Sequence, residues 1–451
     1  MKKKLLLFLV FLTGATGMNA QVFWSEVATG FTAASRGINQ VSYADANNIW
    51  CTAYDGITTT NVIREYTRSN DGGDTWTPGV INLGSTTLGI GCIAGTSGTD
   101  AYVAAFPDTG GLGGIWKTAN GGTTWTKQAT ASFNATASFT NVVYFWDANN
   151  GFCMGDPDTP TTFEIYTTTN GGTNWVRVSA SNVPVPLDGE YGYTRSFAAN
   201  GNAIWFGTNK GRMYRSFDKG LTWAVSQTPI ADMQTGNYAF ADVNNGLLIT
   251  DDWQFFRTTD SRATWVSEFP IGTYRNAAVT NVPGVNGCAY VSLGEDIDLG
   301  ERGSSYTTDG GLNWIDVNGQ DDTNADNGSD VSFFDGGHGL AAGFNTSSTV
   351  GGAFKYVGSA SLFDCTLATT SYTTAKTFTA SPNPTSGVLN LNGKSISNVT
   401  VYDAVGKEVA NKNYSALSNV TFDFSSFNNG VYMVKVTNAA GKSDTIKVVK
   451  Q

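Results

Sequence analysis

Charge is scarce in this sequence. Asp, Glu, Lys and Arg together make up 14% of 451 residues, about half the share found in an average soluble protein. What charge there is leans acidic: the formal net is −10, and it falls to −13 without Lys2, Lys3 and Lys4. A thin, acidic charge set excludes a nucleic-acid backbone or an anionic membrane surface as partner. Histidine is scarcer still. His338 is the only one, so no metal centre built on several imidazoles can form, and the expectation is no metal site of that kind. Long apolar runs are missing as well. The eight residues Leu5–Leu12 form the longest strongly apolar stretch, far short of the ~20 that span a bilayer. Cysteines are few and odd in number, five in all, so at least one thiol has no partner within the chain. Cys51, Cys92, Cys153 and Cys288 sit inside apolar strand-like runs and Cys365 in a polar stretch. The expectation is buried free thiols acting as small hydrophobes.

Against these shortages stand 53 glycines, 12 tryptophans and an aromatic share of 12%. A disordered chain would lack the aromatics, and a helical one would carry more Ala, Leu, Glu and Lys. Short strands joined by tight turns fit both facts. The N-terminus reads as an address. Basic Met1–Lys4, apolar Leu5–Leu12 and the small-residue end Met18-Asn19-Ala20 follow the pattern of a secretory signal peptide, residues 1–20. The mature protein is expected outside the cytoplasm.

An octapeptide, Ser/Thr-x-Asp/Asn-x-Gly-x-x-Trp, recurs six times. Its Asx residues are Asp71, Asn120, Asn170, Asp218, Asp260 and Asp309, and its tryptophans are Trp76, Trp125, Trp175, Trp223, Trp265 and Trp314. A spacing in the forties is what one four-stranded propeller blade occupies. The box has the chemistry of a hairpin turn. The Asx side chain accepts backbone N–H groups, Gly takes up a positive φ, and Trp opens the next strand with its ring packed into the blade. These Asx residues are therefore structural. The fifth box carries Arg262 in place of Gly, which predicts a strained or differently shaped turn.

Two or three short strands precede each box, as in Asn141–Trp146, Gly151–Met154 and Phe163–Thr168. After the sixth box come Asp330–Phe334, His338–Phe344 and Gly352–Val357, with no box and no Trp strand. The missing strand is at the other end: Val22–Ala28, with Trp24, reads like a strand that follows a box. Donating it to the last blade removes both open sheet edges. The sequence therefore predicts an all-β, seven-bladed propeller over residues 21–357, with six or eight blades as alternatives. The boxes resemble the Asp-box (bacterial neuraminidase) repeats of sialidases, sortilin-type receptors, xyloglucanases and photosystem II assembly-factor propellers. The phrase Tyr144–Pro157 before the third box is closest to the assembly-factor-like bacterial propellers. The resemblance implies the fold and leaves function open, because that superfamily mixes enzymes with binders.

Residues 358–378, rich in Ser, Thr and Ala, read as a linker. Strand-like runs at Val388–Leu391, Asn398–Tyr402, Val420–Phe424, Val431–Val436 and Ser443–Val449 then suggest a small β-sandwich over residues 379–451. The strings SPNPTSG, VTVYDAVGKEV, FNNGVYMVKV and DTIKVVKQ, in that order, are similar to the type A C-terminal sorting domain of type IX secretion. That resemblance implies the secretion machinery as a partner, passage across the outer membrane, and release or display at the cell surface.

Function is expected on the propeller face opposite the boxes, where strand 2–3 loops and blade-to-blade connections gather. Asp156, Glu190 and Asp296 supply acids there, and Arg36, Arg195 and Arg275 are each read as standing just before a first strand. Three arginines with Tyr193 would suit a clamp on a substrate carboxylate; two acids would suit a glycosidase pair. No Arg-Ile-Pro string of the sialidase type occurs. Trp253 and Tyr274 are the aromatic candidates for an open binding rim. Asp322, Asn324 and Asp326 begin like a calcium loop, but the Gly and the final Glu of an EF-hand are displaced; a looser Ca²⁺ site stays open. The preferred reading is a protein- or glycan-binding propeller, with a glycoside hydrolase or sialidase-like enzyme as the alternative.

Overall fold

The computed structural model describes residues 23–451, apart from 59–60, 109–111, 261–263, 286, 296–301, 318–328, 366–377, 404–406 and 440–442. The signal peptide, the Arg262 turn, Asp296 and the Asp322–Asp326 stretch lie outside the described residues. Two compact units emerge, residues 1–367 and 368–451.

The first unit is built from repeated antiparallel four-stranded sheets. Blade one runs through Arg36–Tyr43, Ile49–Asp55, Glu65–Ser69 and Thr77–Val80, each strand paired to the next. Five more blades repeat this order, with first strands Leu88–Gly95, Thr140–Phe145, Gly192–Asn200, Gly236–Phe240 and Ala278–Asn281. Blade seven contributes Val331–Asp335, His338–Ser347 and Val350–Tyr356. Its fourth strand is Trp24–Ala28, with Trp24 opposite Tyr356 and Ala28 opposite Gly352. First strands of neighbouring blades touch around the whole circuit, the seventh meeting the first. The fold is a seven-bladed propeller closed by its N-terminal strand.

The boxes are the turns between third and fourth strands. In blade one Ser69 Oγ donates to Asp71 Oδ1 at 2.7 Å and accepts from Gly73 N at 2.8 Å. Asp71 Oδ1 accepts Thr75 N at 2.9 Å, and Trp76 Nε1 donates to Gly73 O at 2.9 Å. The same lattice recurs around Asp218 and Asp309. Burial works to raise Asp71, but the donors from Thr75, Ser69 and Asp74 outweigh it and bring the carboxyl down to about 2. Gly122 shows why the turn excludes side chains: its φ is +88°, and a Cβ there would lie 1.9 Å from Tyr66 Oη.

Trp125, Trp223 and Trp314 enter seams between blades, where aromatic pairs add stabilisation beyond their buried area. Trp125 meets Trp50 and Tyr66 of blade one, Trp223 meets Phe152 of blade three, and Trp314 meets Phe255 of blade five. Trp24 takes the equivalent place at the seam of blades six and seven. Its ring packs on Phe23, Phe333 and Tyr356, and its Nε1 donates to Ser304 Oγ at 2.8 Å.

One sequence expectation is corrected. Cys51, Cys92 and Cys153 are buried free thiols, but Cys288 and Cys365 form a disulfide with Cα atoms 5.8 Å apart. The cause lies just past the last blade strand. There Ala360–Phe363 forms a short 3-10 turn whose Phe363 is buried against Phe23, Tyr306, Phe333 and Tyr356. Residues 358–365, which read as linker, are thereby held against blades six and seven, and Cys365 reaches Cys288.

The second unit is a five-stranded β structure: Phe378–Ser381, Val388–Tyr402, Glu408–Asp423, Gly430–Asn438 and Ser443–Lys450. Val388–Tyr402 is one strand where the sequence suggested two. Its first half pairs with Phe378–Ser381 and its second with Gly430–Asn438, while Glu408–Asp423 follows both halves. Leu389, Leu391, Val399, Val401, Phe422 and Val434 are among its buried core residues.

Candidate functional site

Strand alternation places the boxes and the strand 1–2 turns on one face. The strand 2–3 turns and blade connections occupy the other. The seven first strands line a central channel of about 850 Å³. On the face opposite the boxes, several first strands break register near their start, between Ile38 and Gln40, Ile90 and Cys92, Thr140 and Val142, and Gly192 and Phe197. Such bulges re-aim side chains out of the ladder.

The bulge of blade four carries Arg195 at φ +61°. Its Nη1 donates to Asn39 O on the first strand of blade one, so the side chain ties one channel wall to another. Asp330 shares this environment and accepts Val41 N at 2.7 Å. Burial raises the Asp330 carboxyl, with the Val41 N–H and the Arg195 charge opposing it. Burial depresses the Arg195 guanidinium, and Asp330, Cys92 and Tyr54 pull the other way.

The other two arginines belong elsewhere. Arg36 pairs with Glu65 at 3.2 Å and Asp55 at 3.5 Å, both in its own blade. Arg275 is fully buried and pairs with Asp316 at 3.3 Å. The three guanidiniums thus serve three separate networks, and no shared clamp is formed. Glu190 is also committed. Its buried carboxylate accepts Thr208 Oγ1 at 2.7 Å and Leu187 N at 2.8 Å, and it pairs with Arg212 at 3.4 Å. Asp156 is different. Oδ1 takes Asn141 Nδ2 at 2.6 Å and Gly192 N at 2.9 Å, while burial, only partly offset by those donors, pushes the carboxyl up to about 6. His338 caps a turn through Asp335, at 2.8 Å. Among the described residues no group of three or more His, Cys, Asp or Glu side chains is placed to hold a metal ion.

Blades four and five gather the aromatic candidates. Tyr193 lines the channel and meets Tyr191 edge-on at 5.7 Å; the Tyr191 hydroxyl reaches Met233 Sδ at 3.8 Å. Met233 stands 61% exposed at φ +64°. Trp253 has φ +60°, its carbonyl accepts the Tyr274 hydroxyl at 2.7 Å, and its Nε1 donates to Glu295 O at 3.4 Å. Tyr274 itself packs inward on Phe255 and Trp314. Thr235 and Asp251, joined by a hydrogen bond, continue this rim into the channel wall. Met233 carries no sequence signal. It sits in a blade connection, and only its backbone marks it out.

Comparison with known proteins supports the two-unit description. Residues 380–451 match the family model for the secretion system C-terminal sorting domain. No curated protein matches the chain. Among solved structures it is similar to "YCF48 bound to D1 peptide", at 14% identity and TM-score 0.51, covering 76% of this chain and 100% of that one. It is also similar to YCF48 from Cyanidioschyzon merolae, at 15% identity and TM-score 0.50, covering 74% of this chain and 98% of that one. The GH74 xyloglucanase from Xanthomonas campestris aligns at 14% identity and TM-score 0.47, covering 74% of this chain and 53% of that one. The chain is a β-propeller joined to a type IX secretion sorting domain, which directs it to the cell surface or the extracellular space.

Proposed function

We propose that the exported propeller is a binding module for an extracellular protein or glycan, engaged at the channel mouth of blades four and five. One observation carries the reading. Arg195, Met233 and Trp253 are three large side chains held in left-handed backbone on adjacent blades of one face. Strain of this kind, about 1–3 kcal/mol per residue, persists where it serves a site. Here it exposes Met233 beside Tyr191, which in turn meets Tyr193 on the channel wall, with Trp253 on the strand 2–3 turn of the next blade, the combination of anchors and concavity that ligand sites use.

The test separates strain from binding. Met233→Gly and Trp253→Gly remove the side chain and relieve the backbone, so each variant should be at least as stable as the parent to urea. Both should lose retention on an array of printed glycans and extracellular peptides. Retention equal to the parent's in both variants refutes the site. A hydrolase remains the second reading because Asp156 has a carboxyl near 6 and an oxygen outside its two hydrogen bonds. It predicts turnover of a fluorogenic glycoside that is abolished in Asp156→Ala.

A further inference from the structure

The box-side half of the channel has its own chemistry. Tyr43, Tyr144, Trp146, Phe197 and Phe334 line it, all partly exposed. They come as two neighbouring groups: Tyr43 with Phe334, ring centres 6.2 Å apart, and Tyr144 with Trp146 and Phe197 at 5.2 and 5.5 Å. Between the aromatics the wall is neutral and polar, with Ser42, Asn237, Asn281 and Ser332.

Charge narrows the ligand class. Arg195 and Asp330 offset one another inside the channel. Asp147, at the box-side end, is committed to Asn149, Asn150 and Lys219. Burial raises both Tyr43 and Tyr144, so their phenols stay neutral at physiological pH. A lining with aromatic faces, amides and hydroxyls but no unbalanced cation suits a ligand with apolar C–H faces and many neutral hydroxyls. The faces of aromatic rings carry negative potential and attract the positive edges of C–H groups.

We infer that the channel's box-side mouth is a second binding site, distinct from the rim of blades four and five, that takes a neutral oligosaccharide on its aromatic belt. The experiment is calorimetric titration of the full chain with neutral hexasaccharides of glucose, mannose and N-acetylglucosamine, and with a galacturonate hexamer. At least one neutral hexamer should bind, and the acidic one at least about tenfold more weakly, a gap of about 1.4 kcal/mol. Phe334→Ala, at the 39% exposed end of the belt, should weaken binding about tenfold, the loss of one good anchor. Ser332→Arg should block it by filling the channel while leaving every aromatic in place. Ser25→Ala, exposed on the outermost strand of blade seven, should leave it unchanged. The inference fails if no neutral hexamer binds, if the galacturonate binds as well, if a peptide from the rim assay competes at this site, or if neither channel variant weakens binding.

Discussion

Ring closure depends on one tryptophan more than on any box. Trp24 is 3% exposed, packs on three aromatic rings from blade seven and its own strand, and bonds across the seam to blade six. Trp24→Ala removes that packing and leaves a cavity where a box Trp would sit elsewhere, a change that costs about 3–5 kcal/mol in well-packed cores. The missing hydrogen bond to Ser304 accounts for about 1 kcal/mol of this. Trp24→Phe should keep most of the packing and lose chiefly that bond, so the two variants divide the effect. Against a total stability of about 5–15 kcal/mol, the alanine variant should shift the urea midpoint strongly and expose the edge Val350–Tyr356 to proteolysis. Ser25→Ala, exposed on the same strand, is the control. A loss below about 1 kcal/mol for Trp24→Ala, matching ordinary surface substitutions, would show that the N-terminal strand does not close the ring, and the argument for a circular core would fall.

Three further outcomes follow from the same coordinates. Asp156 is raised to about 6 from 3.8, so its proton favours the folded state, and stability contributed by this group falls as pH rises through about 4 to 6. Asp156→Asn should flatten that part of the pH–stability profile relative to the parent and leave the variant more stable at pH 7. The Cys288–Cys365 bridge closes a loop of 77 residues, worth about 4 kcal/mol by loop entropy. Cys365→Ser should approach that loss, and alkylation of the unfolded, unreduced parent should label three cysteines rather than five. Gly122→Ala should destabilise by more than about 1 kcal/mol, because its φ of +88° and the nearby Tyr66 hydroxyl both resist a methyl group; an unchanged melting temperature would contradict the turn geometry.

How far the sequence reached depended on the range of the interactions. Box turns are closed by residues two to four apart, such as Ser69, Asp71, Gly73 and Thr75, so their roles could be read directly. Closure by Trp24–Ala28 was also legible, because a repeat with one missing strand at one end and one spare strand at the other has a single economical solution. The disulfide was not. It depends on Phe363 docking among rings drawn from Phe23, Tyr306 and Tyr356, and a polar composition gives no hint of that. Candidate arginines looked alike in sequence because each stands near the opening of a first strand. Their fates diverge because Arg36 and Arg275 find acids of their own blades, while a bulge turns Arg195 across the channel.

The candidate site was half visible for a physical reason. Types of residue and the face they occupy follow from local pattern, so Tyr193 and Trp253 could be placed opposite the boxes. Which of them matters depends on backbone conformation, and Met233 at φ +64° is indistinguishable in sequence from any exposed methionine. The channel belt was hidden differently. Tyr43, Tyr144, Trp146, Phe197 and Phe334 each read as part of an ordinary strand, and only a closed circle of seven first strands turns one face of those strands into a common wall. A propeller places its longest-range information at its axis, where every blade contributes one strand. Side chains on that wall can be altered without disturbing the box turns that hold the blades in shape.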